Sequence, residues 1–277
     1  MRLPVSGLDV SFRLPDGHDD LAILEAGGAS RSTSIERALD ALCRLAKLSP
    51  TPSPSRDQAQ PAPDPSPWLG LTVTDFECAL LGLRRFLFGD TVRTLVRCTC
   101  AERMEMEFSI ATLLREAHPR NPSRVIPSPD RVGWYILPEK LISFRLPTLS
   151  DQLEALASPS PYAQLEQSCI EHTVESGHPS AFPRVRSTSA AERAMEAMAP
   201  TISRPISGVC AACGAGMTVQ LHVPSLVLNE LHSSASGVHS EIHAIAATYH
   251  WHESAILALP QLRRQAYTEA IRNGGTL

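Results

Sequence analysis

The 277-residue sequence has few aromatic residues, no excess of positive charge and no long apolar run. Aromatic residues make up 5% of the chain, and acidic residues outnumber basic ones by 29 to 25, which gives a net charge of −4. This balance excludes a strongly basic whole-chain footprint for nucleic acid or anionic lipid. No apolar stretch approaches the roughly 18 residues that a membrane-spanning helix needs. We therefore expect no membrane partner.

The N-terminal sequence from Met1 to Gly7 lacks the apolar segment of a secretory signal peptide. This absence predicts a cytoplasmic protein. The seven cysteines are then expected to be reduced thiols, and close pairs of them indicate metal ligands before disulfides. Because 43% of the residues are apolar, the chain can bury a core.

Motifs of the common enzyme classes are also missing. The sequence has no Gly-x-Ser-x-Gly elbow, no phosphate-binding glycine loop and no dinucleotide fingerprint. His239 and His243 have helical spacing, but Glu241 stands one place later than the glutamate of a zinc protease. A metal hydrolase built on the C-terminal histidines is therefore a minor alternative, and we expect no enzymatic activity.

Two parts of the chain share a tetrapeptide and the features around it. The sequence of residues 12–15 recurs at 144–147, each time after a strand-like run and before a leucine-spaced helix. Downstream, capping-box patterns at 74–77 and 189–192 predict helix starts, and a cysteine pair follows about twenty residues after each. The offset between the parts is 132 residues at the tetrapeptide and 112 at the first cysteine. These features predict an internal duplication.

Residues 49–67 form a proline-rich segment, in which seven of the nineteen residues are proline. This composition predicts an extended tether that does not pack. Its length nearly equals the difference between the two offsets, so a linker inserted in the first copy explains that difference.

Each cysteine pair is predicted to lie at the tip of a β-hairpin, because a strand-like run precedes it and alternating apolar and polar residues follow it. Zinc takes four ligands at tetrahedral corners, and one hairpin supplies only two of them. We therefore predict one structural zinc ion bound by Cys98, Cys100, Cys210 and Cys213, which joins the two copies. Degenerate knuckles without metal and a redox-active pair are the alternatives.

These observations predict an α+β fold. A duplicated strand–helix–zinc-knuckle hairpin unit forms a zinc-ribbon-like centre, and a C-terminal helical module follows it. The predicted organisation is an N-terminal strand–helix segment of repeat 1 (1–48), the proline-rich linker (49–67), a helix with the first cysteine hairpin (68–118), repeat 2 with the second cysteine hairpin (140–235) and the helical module (236–277).

The C-terminal residues 239–272 have helical periodicity, and Pro260 suits the first turn of the last helix. One interpretation is a small helical hairpin whose arginines are solvated. The functional interpretation is a docking module. Its predicted partner contacts are Trp251, Leu257, Arg263, Arg264 and Tyr267.

The C-terminal sequence also carries the most specific part of a family resemblance. The motifs that carry it are Tyr249-His250-Trp251, Glu253, Ile256-Leu257, Leu259-Pro260, Arg263-Arg264 and Tyr267, together with Leu83-Arg84-Arg85, Gly89-Asp90 and the knuckle ending Glu102-Arg103-Met104-Glu105. They resemble the baseplate-associated proteins of contractile phage tails and phage-tail-like injection systems, and are similar to the hub-assembly protein of T-even phages.

The resemblance implies a non-enzymatic role in baseplate or baseplate-hub assembly. It also implies a bacterial cytoplasmic location, incorporation into the particle as one outcome, and hub, spike or tube proteins as partners. The four knuckle cysteines carry over from the family. Its members usually have Cys-x-x-Cys-Gly in the first knuckle, whereas this chain has Cys98-Thr99-Cys100-Ala101.

A nucleic-acid-binding zinc ribbon is the alternative function. Its basic patch would consist of Arg84, Arg85, Arg93 and Arg97. The net negative charge and the scarcity of aromatic residues argue against it.

Overall fold

The structure is a computed structural model and describes residues 1–28, 33–49, 66–122, 124–140, 142–172 and 184–274. Of these described residues, 52% lie in helices and 21% in strands, so the predicted mixed α+β class is confirmed. Most of the predicted linker lies outside the described residues. Among the described helices, none combines the length and the apolar character needed to span a bilayer.

The strands are short and pair only in antiparallel fashion in the part of the chain described. In chain order they are β1 (Asp9–Phe12), β2 (Ala46–Ser49), β3 (Thr91–Arg97), β4 (Arg103–Ser109), β5 (Ile126–Pro127), β6 (Trp134–Leu137), β7 (Ile142–Arg145), β8 (Ile170–His172), β9 (Pro205–Val209) and β10 (Gly216–Gln220). They form three two-stranded sheets, β1-β2, β3-β4 and β9-β10, and one four-stranded sheet in the order β5-β6-β7-β8.

Helices form the larger part of the regular structure in the described residues. They are α1 (Gly17–Gly28), α2 (Ser34–Leu45), α3 (Ser66–Leu69), α4 (Val73–Phe88), α5 (Ile110–Glu116), α6 (Leu149–Ala157), α7 (Pro161–Cys169), α8 (Arg184–Met198), α9 (Val223–Ala235), α10 (Val238–Tyr249), α11 (Glu253–Leu257) and α12 (Gln261–Arg272). A 3-10 turn, Pro138–Lys140, precedes β7.

The same order of elements occurs twice along the chain. A strand, two helices and a strand that pairs with the first are seen in β1-α1-α2-β2 and again in β7-α6-α7-β8. A helix, a β-hairpin and a further helix then follow in α4-β3-β4-α5 and in α8-β9-β10-α9.

The repeated tetrapeptide has the same local structure in both places. Arg13 donates to both carboxylate oxygens of Asp19 at 2.6 and 2.8 Å, and Arg145 donates to both oxygens of Asp151 at 2.6 Å. Each aspartate lies in the first turn of the helix that follows, where the helix dipole stabilises a negative charge. Each bidentate pair therefore fixes the angle between its strand and its helix.

The predicted helix start at 74–77 is wrong by two residues. Thr72 caps α4 by accepting a hydrogen bond from the backbone N–H of Asp75. Thr74 instead donates its hydroxyl to the carbonyl of Pro200, and Glu77 accepts hydrogen bonds from the segment that leads to β9. The side chains of the expected capping box therefore make tertiary contacts.

The second predicted box, at 189–192, is also wrong as a helix start. Helix α8 begins at Arg184, so residues 189–192 lie within it.

Helix α4 is the centre of the larger core. All of its residues from Thr74 to Arg84 are buried, which places this helix inside the fold and not on its surface. Leu42 of α2 and Val227 of α9 are fully buried in the same core. A smaller core lies between β7 and α8, around Phe144 and Ala191.

Candidate functional site

The two cysteine pairs lie in the turns that connect β3 to β4 and β9 to β10. In the first turn, the N–H of Cys98 donates to the carbonyl of Glu102, and the N–H of Ala101 donates back to the carbonyl of Cys98, both at 2.9 Å. In the second turn, Cys210 donates to Ala215 and Gly214 donates to Cys210, both at 2.8 Å. The two turns are thus closed by the same pair of hydrogen bonds.

One residue in each turn has left-handed backbone geometry. Gly214 has φ of +72° and Ala101 has φ of +71°. Glycine adopts this conformation freely, whereas alanine is strained in it by its Cβ. The shorter Cys-x-Cys knuckle therefore keeps the geometry of the Cys-x-x-Cys-Gly knuckle at the cost of strain at Ala101.

The four cysteine sulfurs form one cluster. The Sγ atoms of Cys98 and Cys213 are 3.7 Å apart, those of Cys100 and Cys210 are 3.8 Å apart, and all four lie within 4.8 Å of one another. A tetrahedral zinc ion with bonds of about 2.3 Å to each sulfur requires a separation of about 3.8 Å between sulfurs. The cluster is therefore compatible with a metal site, and the prediction that these four residues come together is confirmed.

Backbone amides point at the sulfurs in both turns. The N–H of Cys100 hydrogen-bonds to the sulfur of Cys98 and, against the opposing effect of desolvation, lowers the pKa of that thiol to about 6. The N–H groups of Glu102 and Ala215 likewise reach the sulfurs of Cys100 and Cys213. Such hydrogen bonds stabilise thiolates, which are the form that binds a metal.

Each sulfur also disfavours a negative charge on its neighbours. Although Ala215 donates to Cys213 and favours its thiolate, the three neighbouring sulfurs outweigh this effect and raise the pKa of Cys213 to about 12. Four thiolates at this distance repel each other unless a cation lies between them. A divalent metal ion bound between the sulfurs would neutralise this repulsion.

Apolar contacts join the two hairpins next to the cluster. Cys98 and Cys210 are 5% and 1% exposed and are buried with Met217, while Cys100 and Cys213 are at the surface. The N–H of Ala211 lies 3.3 Å from the sulfur of Met104 on the other hairpin. The cysteine cluster and the packed methionines thus lie between the same pair of hairpins.

The other three cysteines lie outside the cluster. Cys78 is buried in the larger core, and burial raises the pKa of its thiol. Cys169 is also buried, and desolvation raises the pKa of its thiol to about 11. Cys43 is half-buried and packs against the larger core.

The arginines of the alternative basic patch are largely engaged by acidic residues. Arg84 is buried and bonds to Glu230 at 2.6 Å. Arg85 lies 3.0 Å from Asp90. Arg93 lies 3.5 and 3.0 Å from two glutamates of β4, so the local charge of this patch is close to balanced.

The C-terminal histidines do not assemble into a metal site in the part of the chain described, where the cysteine cluster is the only group of three or more suitable ligands. His239 and His243 lie on α10. His250 ends that helix with a φ of +56°, and His252 is the N-cap of α11.

The predicted partner contacts divide into two groups. Trp251 is 38% exposed, Arg263 is exposed and Tyr267 is half-buried. Leu257 and Arg264 are only 5% and 1% exposed. The expectation that these last two side chains face a partner is therefore corrected, because both are used inside the fold.

Arg264 is the centre of a buried charge network that no sequence pattern indicated. Its Nε donates to Glu241 at 2.9 Å, its Nη1 donates to the carbonyl of Leu259 at 2.7 Å, and its Nη2 donates to Asp20. Burial raises the pKa of Asp20, although the guanidinium opposes this effect. The network attaches the C-terminal helices to α1, across 244 positions of sequence.

Three aromatic rings of the C-terminal helices pack on one another. The ring centre of Tyr249 is 5.7 Å from those of Trp251 and Tyr267, and the latter two are 5.2 Å apart. Tyr267 packs edge-to-face on the other two rings, and such packing stabilises the cluster and orients Trp251.

Comparison with known proteins gives no relative for this chain: it matches no protein-family model, no curated protein and no solved structure.

Proposed function

We propose that this protein is a non-enzymatic scaffold in which one structural zinc ion joins two duplicated units. The observation that carries the proposal is the cluster of four sulfurs, which come from hairpins separated by 110 positions between Cys100 and Cys210. Four thiolates in tetrahedral arrangement suit zinc. Because the protein fills all four positions, no site is left for a catalytic water, and the ion is structural.

The duplication is supported by more than the cysteines. Element order, the bidentate Arg13–Asp19 and Arg145–Asp151 pairs and the hydrogen bonds of the two cysteine turns all recur. Independent origins would have to produce each of these features separately. A common unit accounts for them together.

The biological role that we propose is assembly of the baseplate or baseplate hub of a contractile phage-tail-like injection system. Two observations support it: the sequence resemblance described above, and the accessible Trp251, Arg263 and Tyr267 on the C-terminal helices. The zinc-joined units would present this surface to hub, spike or tube proteins.

Deletion of the gene in a strain that makes such particles tests this role. We expect particles with defective baseplates, rescue by the wild-type protein, and co-purification of the tagged protein with sheath, tube or spike proteins. Cys213→Ser should fail to rescue, whereas Cys43→Ser, which leaves the cluster intact, should rescue. Normal particles from the deletion strain would contradict the proposed role.

A nucleic-acid-binding zinc ribbon is the second candidate, and one observation favours it. Arg97 and Arg103 are exposed cross-strand neighbours beside the first cysteine turn. Salt-sensitive binding to a labelled oligonucleotide, lost in an Arg97→Glu/Arg103→Glu variant, would support this candidate.

A further inference from the structure

A small cavity lies between three helices that come from different parts of the chain. Helix α9 follows the second cysteine hairpin, and it packs against α1 and α2 near the N-terminus. The cavity that all three helices line has a volume of about 90 Å³. Like the cysteine cluster, it is therefore formed jointly by the two copies of the repeated element order.

Helix α2 brings a buried donor without a partner to this cavity. Ser34, Arg37 and Ala41 line it from one face of α2, since residues three and four apart lie on the same side of a helix. The Nε of Arg37 is buried and has no hydrogen-bond partner in the part of the chain described. The residue as a whole is half-buried, so the guanidinium can turn its Nε–H towards a ligand in the cavity. A ligand that accepts from this group would satisfy it.

The charge of Arg37 is left in excess among the described residues that line the cavity. The acidic residue of the lining is Asp40, and its carboxylate accepts from the Nε of Arg44 at 2.9 Å in an ion pair along α2. Because Asp40 is matched by Arg44, the positive charge of Arg37 remains and favours an anionic ligand.

Helix α9 adds neutral hydrogen-bonding groups on the opposite side. Asn229 and His232 both line the cavity from α9. The ring of His232 lies against Gly27 of α1, where an added Cβ would be only 3.2 Å from Nε2 of the imidazole. An amide and an imidazole N–H can each donate a hydrogen bond to an anionic oxygen.

The remaining lining is apolar and restricts the kind of anion that fits. It consists of Ile23, Ala26, Ala41 and Leu228, together with Gly27. A phosphate ion would lose hydration against such a wall, whereas an aliphatic carboxylate has a hydrocarbon part to place there. A planar carboxylate also matches two parallel N–H groups of a guanidinium. The volume holds several water molecules and therefore suits a ligand of about five non-hydrogen atoms.

We propose that this cavity binds a short-chain aliphatic monocarboxylate. Arg37 holds the carboxylate through its Nε–H and an adjacent N–H, Asn229 and His232 donate further hydrogen bonds, and the apolar wall surrounds the hydrocarbon. Since the ligand contacts α1, α2 and α9 together, its binding stabilises the packing of the second copy on the first. The proposal goes beyond the scaffold function and does not depend on the zinc site.

Titration of the full-length protein with propionate, followed by ¹H–¹⁵N NMR, tests the site. We expect saturable shifts at Asn229 and at the backbone around Arg37, with a dissociation constant on the order of 1 mM, because so small a ligand makes few contacts. Propionamide has the same shape without the charge and should bind about tenfold more weakly or less, and inorganic phosphate should also bind more weakly. Equal binding of propionamide would overturn the role of the charge, and tighter binding of phosphate would overturn the carboxylate class.

Two variants change the cavity in different ways. Arg37→Lys keeps the charge but removes the paired N–H groups, and we expect about fivefold weaker binding of propionate. Ala26→Leu keeps the arginine but fills the cavity, and should abolish the shifts. Arg193→Lys is the matched control, because Arg193 is exposed on α8 and is not among the residues lining the cavity.

Melting temperatures and far-UV circular dichroism establish that each variant is folded, and either variant alone is sufficient for the test. Propionate should also raise the melting temperature of the wild type and of Arg193→Lys, and leave that of Ala26→Leu unchanged. The absence of saturable shifts in the wild type, or wild-type affinity in a folded Arg37→Lys or Ala26→Leu protein, would overturn the proposal.

Discussion

The sulfur of Cys98 lies 3.7 Å from the sulfur of Cys213, although 115 positions separate them in the sequence. The first belongs to a five-residue turn and the second to a turn that is one residue longer. Their meeting brings the two hairpins into contact. If zinc occupies this site, it contributes directly to the free energy of folding, since the unfolded chain has no preformed site.

Loss of the metal should destabilise the protein strongly. Structural zinc contributes on the order of 10–16 kcal/mol of apparent free energy in small zinc-binding peptides, which equals the whole stability of a typical domain. We expect a chelator, or the Cys213→Ser substitution, to lower the melting temperature and the soluble yield. Cys43→Ser is the control and should keep its metal. A Cys213→Ser variant that melts like the parent would show that the cluster is vestigial.

Ala101→Gly should stabilise the protein by about 1 kcal/mol, because glycine relieves the left-handed strain in the first knuckle. Gly214→Ala should have the opposite effect of similar size. A Cβ at Gly214 would have no atom within 4 Å, so backbone strain alone would act. Denaturant unfolding of the metal-loaded proteins measures both changes. The same sign for both substitutions would contradict the equivalence of the two turns.

Two neighbouring arginines should respond very differently to truncation. Arg264→Ala leaves Asp20 and Glu241 buried without a cation, and we expect a loss of about 3–5 kcal/mol. Arg263→Ala removes an exposed side chain and should change the free energy of unfolding by less than about 0.5 kcal/mol. Equilibrium unfolding of both variants tests this. Similar losses in both would be inconsistent with the buried network.

Acid should lower the free energy of unfolding by protonating Asp151, which pairs with Arg145. Hydrogen bonds from Arg145 and Thr148 outweigh desolvation and lower the pKa of this carboxyl in the folded protein. The unfolded chain therefore takes up a proton first as the pH falls below about 4, and the stabilisation present at neutral pH is lost as the pH falls through the lowered pKa. Asp151→Asn should be less stable at pH 7 and should lose less stability between pH 5 and pH 3. An unchanged pH profile would contradict this assignment.

The cysteine cluster could be predicted from the sequence because few residue types bind zinc and their spacing within each turn is restricted. The repeated tetrapeptide likewise located two strand–helix corners, since the same residues form the same Arg–Asp pairs. Local sequence patterns gave the wrong prediction where tertiary contacts determine a helix start or the burial of a side chain. Both Thr72 and Thr74 suit an N-cap, and tertiary contacts separate them: Thr72 forms a bridge with Thr148, whereas Thr74 donates to the carbonyl of Pro200. The burial of Arg264 depends on Asp20, which no local periodicity relates to it.

X-ray absorption at the zinc edge of the purified protein tests the central claim most directly. The account predicts one zinc ion per chain with four sulfur neighbours at about 2.3 Å, and no lighter ligand. Two sulfurs accompanied by nitrogen or oxygen ligands, or a chain without bound metal, would contradict a single ion that joins Cys98 and Cys100 to Cys210 and Cys213.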